Sequence, residues 1–274
     1  MSNTLPRPAA PAPDETRSVL AIPAFRRLWQ AMAFGSLGDW LGLLATTALA
    51  QQLSGGNYAT ANFAIAGVFI ARLLPAVFLG PIAGVIADRL DRRMLMVVAD
   101  VIRFALYISI PIVNNYFWLY TATILVECVS LFWSPAKDAS VPNLVPKEKL
   151  ESANQVSLFA AYGTAPIAAG LFAILALLSS AIAAAFPSFK GTSIDIALYI
   201  NALSFAFSAW TIFNLREIPK RHQSGKQADS SVGKSLIEGY KVVSSSKIIR
   251  GLIVGMIGAF IAAGAVIGLA RTFV

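Results

Sequence analysis

Asp39, Arg72, Asp100, Arg103 and Glu127 each interrupt a stretch of chain that is otherwise almost wholly apolar. If those stretches lie in hydrocarbon, an ionised side chain near the centre costs at least about 2.5–3.5 kcal/mol. Such residues are tolerated when they turn inward, gather in one polar pocket and pair there, or change protonation state. The chemistry open to them is proton and ion exchange. Burial favours the neutral form of a carboxylate and a nearby guanidinium favours the ionised form. A carboxylate held between those influences binds and releases a proton as its surroundings change. Asp39 and Glu127 are the candidates for that role, with Arg72 and Arg103 as candidate cations for substrate or proton coupling. Asp100 and Arg103 stand three residues apart, on one side of a helix, and are expected to pair with each other.

The elements that must position these residues are long helices. Hydrophobic residues make up 57% of the chain and charged residues 13%, against about 25% charged in an ordinary soluble domain. That leaves too little charge to cover a water-facing surface, so the bilayer is the expected solvent. A crossing helix needs about 20 apolar residues. Seven segments meet this, near Leu28–Gln51, Ala59–Ala87, Met94–Val113, Phe117–Ser134, Ala153–Ala185, Ile194–Leu215 and Ile249–Ala270. At 1.5 Å per residue, Asp39 lies about 16 Å into the first, Arg72 about 20 Å into the second and Glu127 about 15 Å into the fourth. The three therefore share the middle of the bilayer. The fold expected is an all-α membrane protein: a disordered cytoplasmic tail over 1–24, a six-helix bundle over 25–215, a cytoplasmic linker over 216–248 and a seventh helix over 249–274.

Arg7, Arg17, Arg26, Arg27, Arg89, Arg92, Arg93, Lys137, Lys147 and Lys149 fall on one set of loops, together with the basic linker that follows Arg216. The opposite loops carry only Lys190. The positive-inside rule then puts the N-terminus in the cytoplasm. Trp29, Trp118 and Trp133 lie near span ends, where amphipathic rings favour the interface. Residues 232–243 of the linker read as a solvated segment or a short amphipathic helix on the inner surface. The net charge of +8 is spread over these loops rather than clustered with aromatics, which argues against nucleic acid as a partner. Cys128 is the single cysteine and His222 the single histidine. Disulfide scaffolds, zinc sites and His-rich metal clusters are therefore excluded, and no cofactor is expected.

The loop Gly84-Val85-Ile86-Ala87-Asp88-Arg89-Leu90-Asp91-Arg92-Arg93 joins spans 2 and 3 as a short charged turn. It is expected to make them antiparallel neighbours, and Gly80 and Gly84, four apart, to admit a second helix closely. This loop resembles the one between helices 2 and 3 of major facilitator superfamily transporters, with Asp91 standing where the family carries glycine. The resemblance implies a cytoplasmic gate formed by Gly84, Asp88, Arg89, Arg92 and Arg93. Asp138, just past span 4, is expected to pair with Arg89 or Arg92.

Span 5 contains Gly163-Thr164-Ala165-Pro166-Ile167-Ala168-Ala169-Gly170. Its proline removes a backbone hydrogen bond and kinks the helix. The pattern is similar to the G-P-x-x-G-G of drug-exporting facilitators. The turn after span 4, Phe132 to Pro146, and Ser36-Leu37-Gly38-Asp39-Trp40 in span 1 resemble the bacterial exporter branch that holds macrolide efflux proteins and the enterobactin exporter. Span 4 departs from the proton-coupled pattern: it carries Glu127 and no arginine.

Membership of that branch implies secondary-active export of amphipathic small molecules across a bacterial inner membrane by alternating access. Six spans, a linker and one more span amount to one half of such a transporter plus the first helix of the other. The expected partners are the lipid bilayer, a small-molecule substrate, protons and a second six-helix half, and the chain by itself is expected not to transport. A second reading is a membrane-anchoring or regulatory half of a multifunctional protein, because some proteins with a similar first half continue into a thymidylate kinase domain. No phosphate-cradling G-x-x-x-x-G-K-[ST] loop occurs in this chain, so no catalytic residue is assigned.

Overall fold

The computed structural model describes residues 19–185 and 192–218, then 244–252, 254–255 and 258, without the side chains of residues 81, 82, 85, 88 and 183–185. The tail up to residue 18, most of the linker with its candidate amphipathic helix, and most of the seventh span lie outside the described residues. The chain divides into two units, Met1–Gln223 and Ser224–Val274. In the second, residues 247–252 are helical, and the Ile249 amide donates to the Ser246 hydroxyl at the start of that helix.

The first unit is a bundle of α1 (Pro23–Leu53), α2 (Tyr58–Arg89), α3 (Arg92–Val113), α4 (Tyr116–Leu144), α5 (Leu150–Tyr162), α6 (Ala165–Ala185) and α7 (Ser193–Phe213). Among the described residues, five helical stretches are long and apolar enough to cross a membrane: Tyr58–Gly80, Arg92–Val113, Tyr116–Leu144, Lys147–Ile182 and Ser193–Phe213. Side chains such as Phe63, Phe117, Val77 and Leu177 point outward with large apolar surfaces, as lipid requires. Helix α1 is less apolar than these because it packs against α2, α4, α5, α6 and α7, so small and polar residues line much of it.

Sharp caps end the helices. Asn57 accepts from the Thr60 amide, Asp91 from Met94 and Asn115 from Trp118. Thr192 and Asp195 form a reciprocal capping box on α7. Asn114 closes α3 in the left-handed conformation, with φ 46°, a role asparagine tolerates better than most residues.

Several expectations need correction. Helices α2 and α3 are joined by a two-residue turn, yet they touch little; α2 lies along α4 instead. The turn needs no glycine at 91, because Asp91 adopts ordinary extended backbone there and caps α3. A Cβ added to Gly80 or Gly84 would meet nothing within 4 Å, so neither glycine admits a close helix within this bundle. Helix α4 does not stop at Ser134 but runs through Pro135 and Pro142 to Leu144. Each proline withholds one amide, and the remaining ladder carries the helix on. The fifth span is two helices, α5 and α6, parted at Gly163–Thr164. There the Gly163 amide still bonds the Phe159 carbonyl, the Thr164 hydroxyl bonds Ala160, and Pro166 falls in the first turn of α6. A Cβ at Gly163 would crowd the Phe159 carbonyl and ring. Gly170 faces open space.

The apolar interior forms two clusters. One gathers Leu41, Val68, Tyr107, Val126, Leu198 and Phe205 with their neighbours. The other, at the end where α1 begins, gathers Phe25, Leu28, Met96, Ala136, Val141 and Ile212. On α1, α3, α4 and α7 the residues between the clusters include Asp39, Asp100, Arg103, Glu127 and Ser208. A polar belt therefore separates two greasy halves of the bundle.

Candidate functional site

Within the belt the ionisable residues sort into two pairs and one single carboxylate. Asp100 is fully buried and acts as a hub. Its Oδ1 meets Arg103 Nη1 at 3.3 Å, and its Oδ2 accepts from the Ser208 hydroxyl at 2.6 Å and from Trp133 Nε1 at 3.2 Å. The Arg103 guanidinium lies 5.4 Å from the Trp133 ring centre and 4.9 Å from that of Phe205. Stacking over aromatic faces suits a guanidinium taken out of water. One acid thus ties α3 to α4 and α7, and the expected Asp100–Arg103 pair is made.

The second pair joins α2 to α4: Arg72 Nη1 stands 3.6 Å from Glu127 Oε1. Arg72 Nη2 also donates to the Tyr107 hydroxyl of α3 at 3.2 Å, and Tyr107 stacks on Phe205 with ring centres 5.6 Å apart. Asp39 has no ion pair within 4 Å and no hydrogen bond among the described residues. It lines a cavity of about 170 Å³ together with Ser36, Arg103, Ser130, Trp133 and Lys137. The cations of that cavity are already engaged, Arg103 by Asp100 and Lys137 by Asp138 at 2.6 Å. Of the sequence-derived trio Asp39, Arg72 and Glu127, Arg72 and Glu127 pair directly, while Asp39 makes no ion pair within 4 Å and faces the cavity that Arg103 also lines.

At the gate, Arg92 does not take Asp138 as its partner. Asp138 takes its chain neighbour Lys137, and Arg92 Nη1 donates instead to the Ala139 carbonyl at 2.9 Å. Arg93 reaches the last turn of α7, 3.5 Å from the Phe213 carbonyl and 6.0 Å from its ring centre. Cations suit a helix C-terminus. The Asp88 side chain lies outside the described residues. Gly80 and Gly84 line an open groove of about 450 Å³ with Ser130, Ser134, Pro135 and Asp138 of α4.

Sequence reasoning missed Tyr107, Ser208 and Asn201, and it put Trp133 at the membrane interface, whereas its indole bonds Asp100 inside the bundle. It also passed over Gly38 and Gly42, where a Cβ would run into Asn201 and Ser204 of α7 and into Asn201 and Tyr107, respectively. The signals were present: two glycines four apart in α1, and Asn201, Ser204 and Ser208 along one side of an otherwise apolar helix.

A bundle that exposes apolar side chains and buries a belt of acids, guanidiniums and hydroxyls is an integral membrane protein of major facilitator type. The chain belongs to the transmembrane secretion effector family of that superfamily, whose model matches residues 15–272. It is 30% identical over 189 residues to YfiS of Bacillus subtilis (strain 168), an uncharacterised MFS-type transporter, covering 69% of this chain and 41% of that protein. It is 27% identical over 219 residues to the putative bacilysin exporter BacE of the same strain, covering 76% of this chain and 48% of BacE. With macrolide efflux protein A of Enterococcus faecalis it shares 28% over 179 residues, 64% of this chain and 51% of that protein. The chain spans about half the length, or less, of these curated relatives.

Proposed function

We propose that this bundle is the N-terminal half of a secondary-active exporter of amphipathic small molecules, and that Asp39 is the group whose charge is exchanged during transport. The observation that carries this reading is the pairing in the belt. Asp100 and Glu127 each pair directly with a guanidinium, whereas Asp39 makes no ion pair within 4 Å among the described residues and faces the cavity beside an Arg103 that Asp100 already holds. A charge left unpaired in a low-dielectric interior is costly. Asp39 relieves that cost by taking a proton or the positive group of a substrate. Arg72 and Glu127 hold α2 on α4, and the Asp100–Arg103 hub forms one wall of the cavity.

The partner is a second six-helix bundle, for which the greater length of the relatives leaves room. Rocking of the two bundles opens the midplane site to each side in turn. The setting is the bacterial inner membrane with the N-terminus in the cytoplasm, supported by the one-sided distribution of Lys and Arg. Gly84, Asp88, Arg89, Arg92 and Arg93 belong to the cytoplasmic gate on this reading, and the break at Gly163–Pro166 is a flexing point for the fifth span.

The test is counterflow in proteoliposomes holding the full-length protein, with a labelled macrolide as probe and a lumenal pH dye. Wild-type protein is expected to exchange the probe for protons. Asp39→Asn should abolish proton-driven accumulation while leaving folding intact. Accumulation at the wild-type level in Asp39→Asn would remove Asp39 from the coupling role.

A further inference from the structure

Asn201 is wholly buried at the contact of α1, α3 and α7, and neither its amide nitrogen nor its amide oxygen makes a well-formed hydrogen bond among the described residues, although the amide stands within reach of the Tyr107 hydroxyl. The residues around it on α7, Ala197, Leu198, Ala202 and Phe205, are apolar and buried. An unsatisfied buried amide costs free energy that an isosteric leucine would avoid. Its surroundings explain why an amide stands there. Nδ2 faces the backbone of Gly42, where a Cβ would lie 3.1 Å from the Tyr107 hydroxyl. Oδ1 faces Gly38 beside the Ser204 hydroxyl oxygen, whose proton already goes to the Asn201 carbonyl at 2.7 Å. The donor end of the amide is thus turned towards a phenol that needs an acceptor, because the Tyr107 oxygen receives Arg72 and its own proton has no acceptor among the described residues. The acceptor end is turned towards a hydroxyl oxygen with spare lone pairs. A half-turn of the amide about χ2 matches both ends: Oδ1 takes the Tyr107 proton and Nδ2 donates to Ser204.

We propose that Asn201 is a positioning residue, whose amide turns to hold the Tyr107 phenol and thereby presents the Tyr107 oxygen to Arg72. The relay runs from α7 through α3 and α2 to Glu127 on α4. With the amide turned to Tyr107, Arg72 stays anchored on the α2–α4 side of the belt, beside Glu127. With the amide turned back, Arg72 loses a fixed acceptor. Gly38 and Gly42 serve the same device, since a side chain at either position would occupy the space in which the amide turns. The contact is structural and independent of activity; its consequence for coupling rests on the transport reading above.

The test is a two-residue cycle on the chain in lipid nanodiscs, read by thermal unfolding. In the wild-type background, Asn201→Leu removes a partner of Tyr107 and is expected to lower the melting temperature by a few degrees. In the Tyr107→Phe background the same change removes only an orphan amide and is expected to raise it. A shift of the same sign and size in both backgrounds overturns the proposal. A spectroscopic arm covers poor insertion of Asn201→Leu. The tyrosine ring doublet in a wild-type minus Tyr107→Phe Raman difference spectrum reports a phenol that both donates and accepts, and Asn201→Ala should convert it to an acceptor only. An unchanged doublet again overturns the proposal. In the full-length protein, Asn201→Leu and Tyr107→Phe should move the pH midpoint of transport equally, with no further shift in the double variant. Absence of wild-type flux counts against the transport reading alone and leaves the unfolding and Raman arms to decide.

Discussion

Replacing Asp100 with alanine strands a cation. In the native bundle Arg103 is almost wholly buried, pairs with Asp100 at 3.3 Å and lies over the rings of Trp133 and Phe205. Removing Asp100 also leaves the Ser208 hydroxyl and the Trp133 indole without their acceptor. Breaking a buried pair by deleting one partner costs about 3–5 kcal/mol. At about 2–4 °C per kcal/mol for a unit of this size, the melting temperature should fall by roughly 6–20 °C. The assay is thermal unfolding in nanodiscs, followed by tryptophan fluorescence. A second variant separates charge from packing. Asp100→Ala with Arg103→Met removes both charges, and apolar replacement of a whole buried pair is often neutral or stabilising, so the double variant should recover most of the loss. A single-variant cost below about 1 kcal/mol, the range of an exposed pair, would refute the reasoning. A double variant as damaged as the single one would do so too.

Gly42→Ala pushes a methyl into Asn201 and Tyr107; overpacking of this kind costs about 1–3 kcal/mol, whereas Gly80→Ala, with nothing within 4 Å, should leave the melting temperature of this chain unchanged. Asp91→Ala removes the cap on α3 and should cost about 1 kcal/mol, measurable as faster amide exchange in the first turn of that helix. Arg72→Gln and Glu127→Gln each leave one member of the α2–α4 pair alone in the belt; the double variant should unfold at a higher temperature than Glu127→Gln alone. If the two single losses simply add, the two residues do not interact across the helices.

The charged residues were legible because apolar segments make each one conspicuous. Asp39, Arg72, Asp100, Arg103 and Glu127 stand out from composition alone, and the three-residue spacing of Asp100 and Arg103 was enough to pair them. Most helix starts were legible to within a few residues from where the apolar runs begin; that Asn57, Asp91, Asn115 and Thr192 cap them came from the structure. Helix ends were harder. Pro135 and the charges after it suggested a turn, but a proline costs a helix one hydrogen bond and α4 has the rest of its ladder to continue on.

Partner choice belonged to tertiary structure. Sequence put α2 beside α3 because a short charged turn connects them, but the packing of side chains along the helices set α2 against α4. It gave Gly80 and Gly84 the close approach that the bundle reserves for Gly38 and Gly42. Local spacing identifies which residues share a helix face; only the three-dimensional packing decides what that face meets. The same limit kept Tyr107, Trp133 and Asn201 out of view, because an aromatic ring or a lone amide in an apolar helix reads as ordinary filling until its neighbours are known. Hydrocarbon as solvent, inward-facing charge and long apolar helices were therefore determined by residue chemistry along the chain. The partition of that charge into two ion pairs and one solitary carboxylate was decided by contacts across four helices, which no single segment encodes.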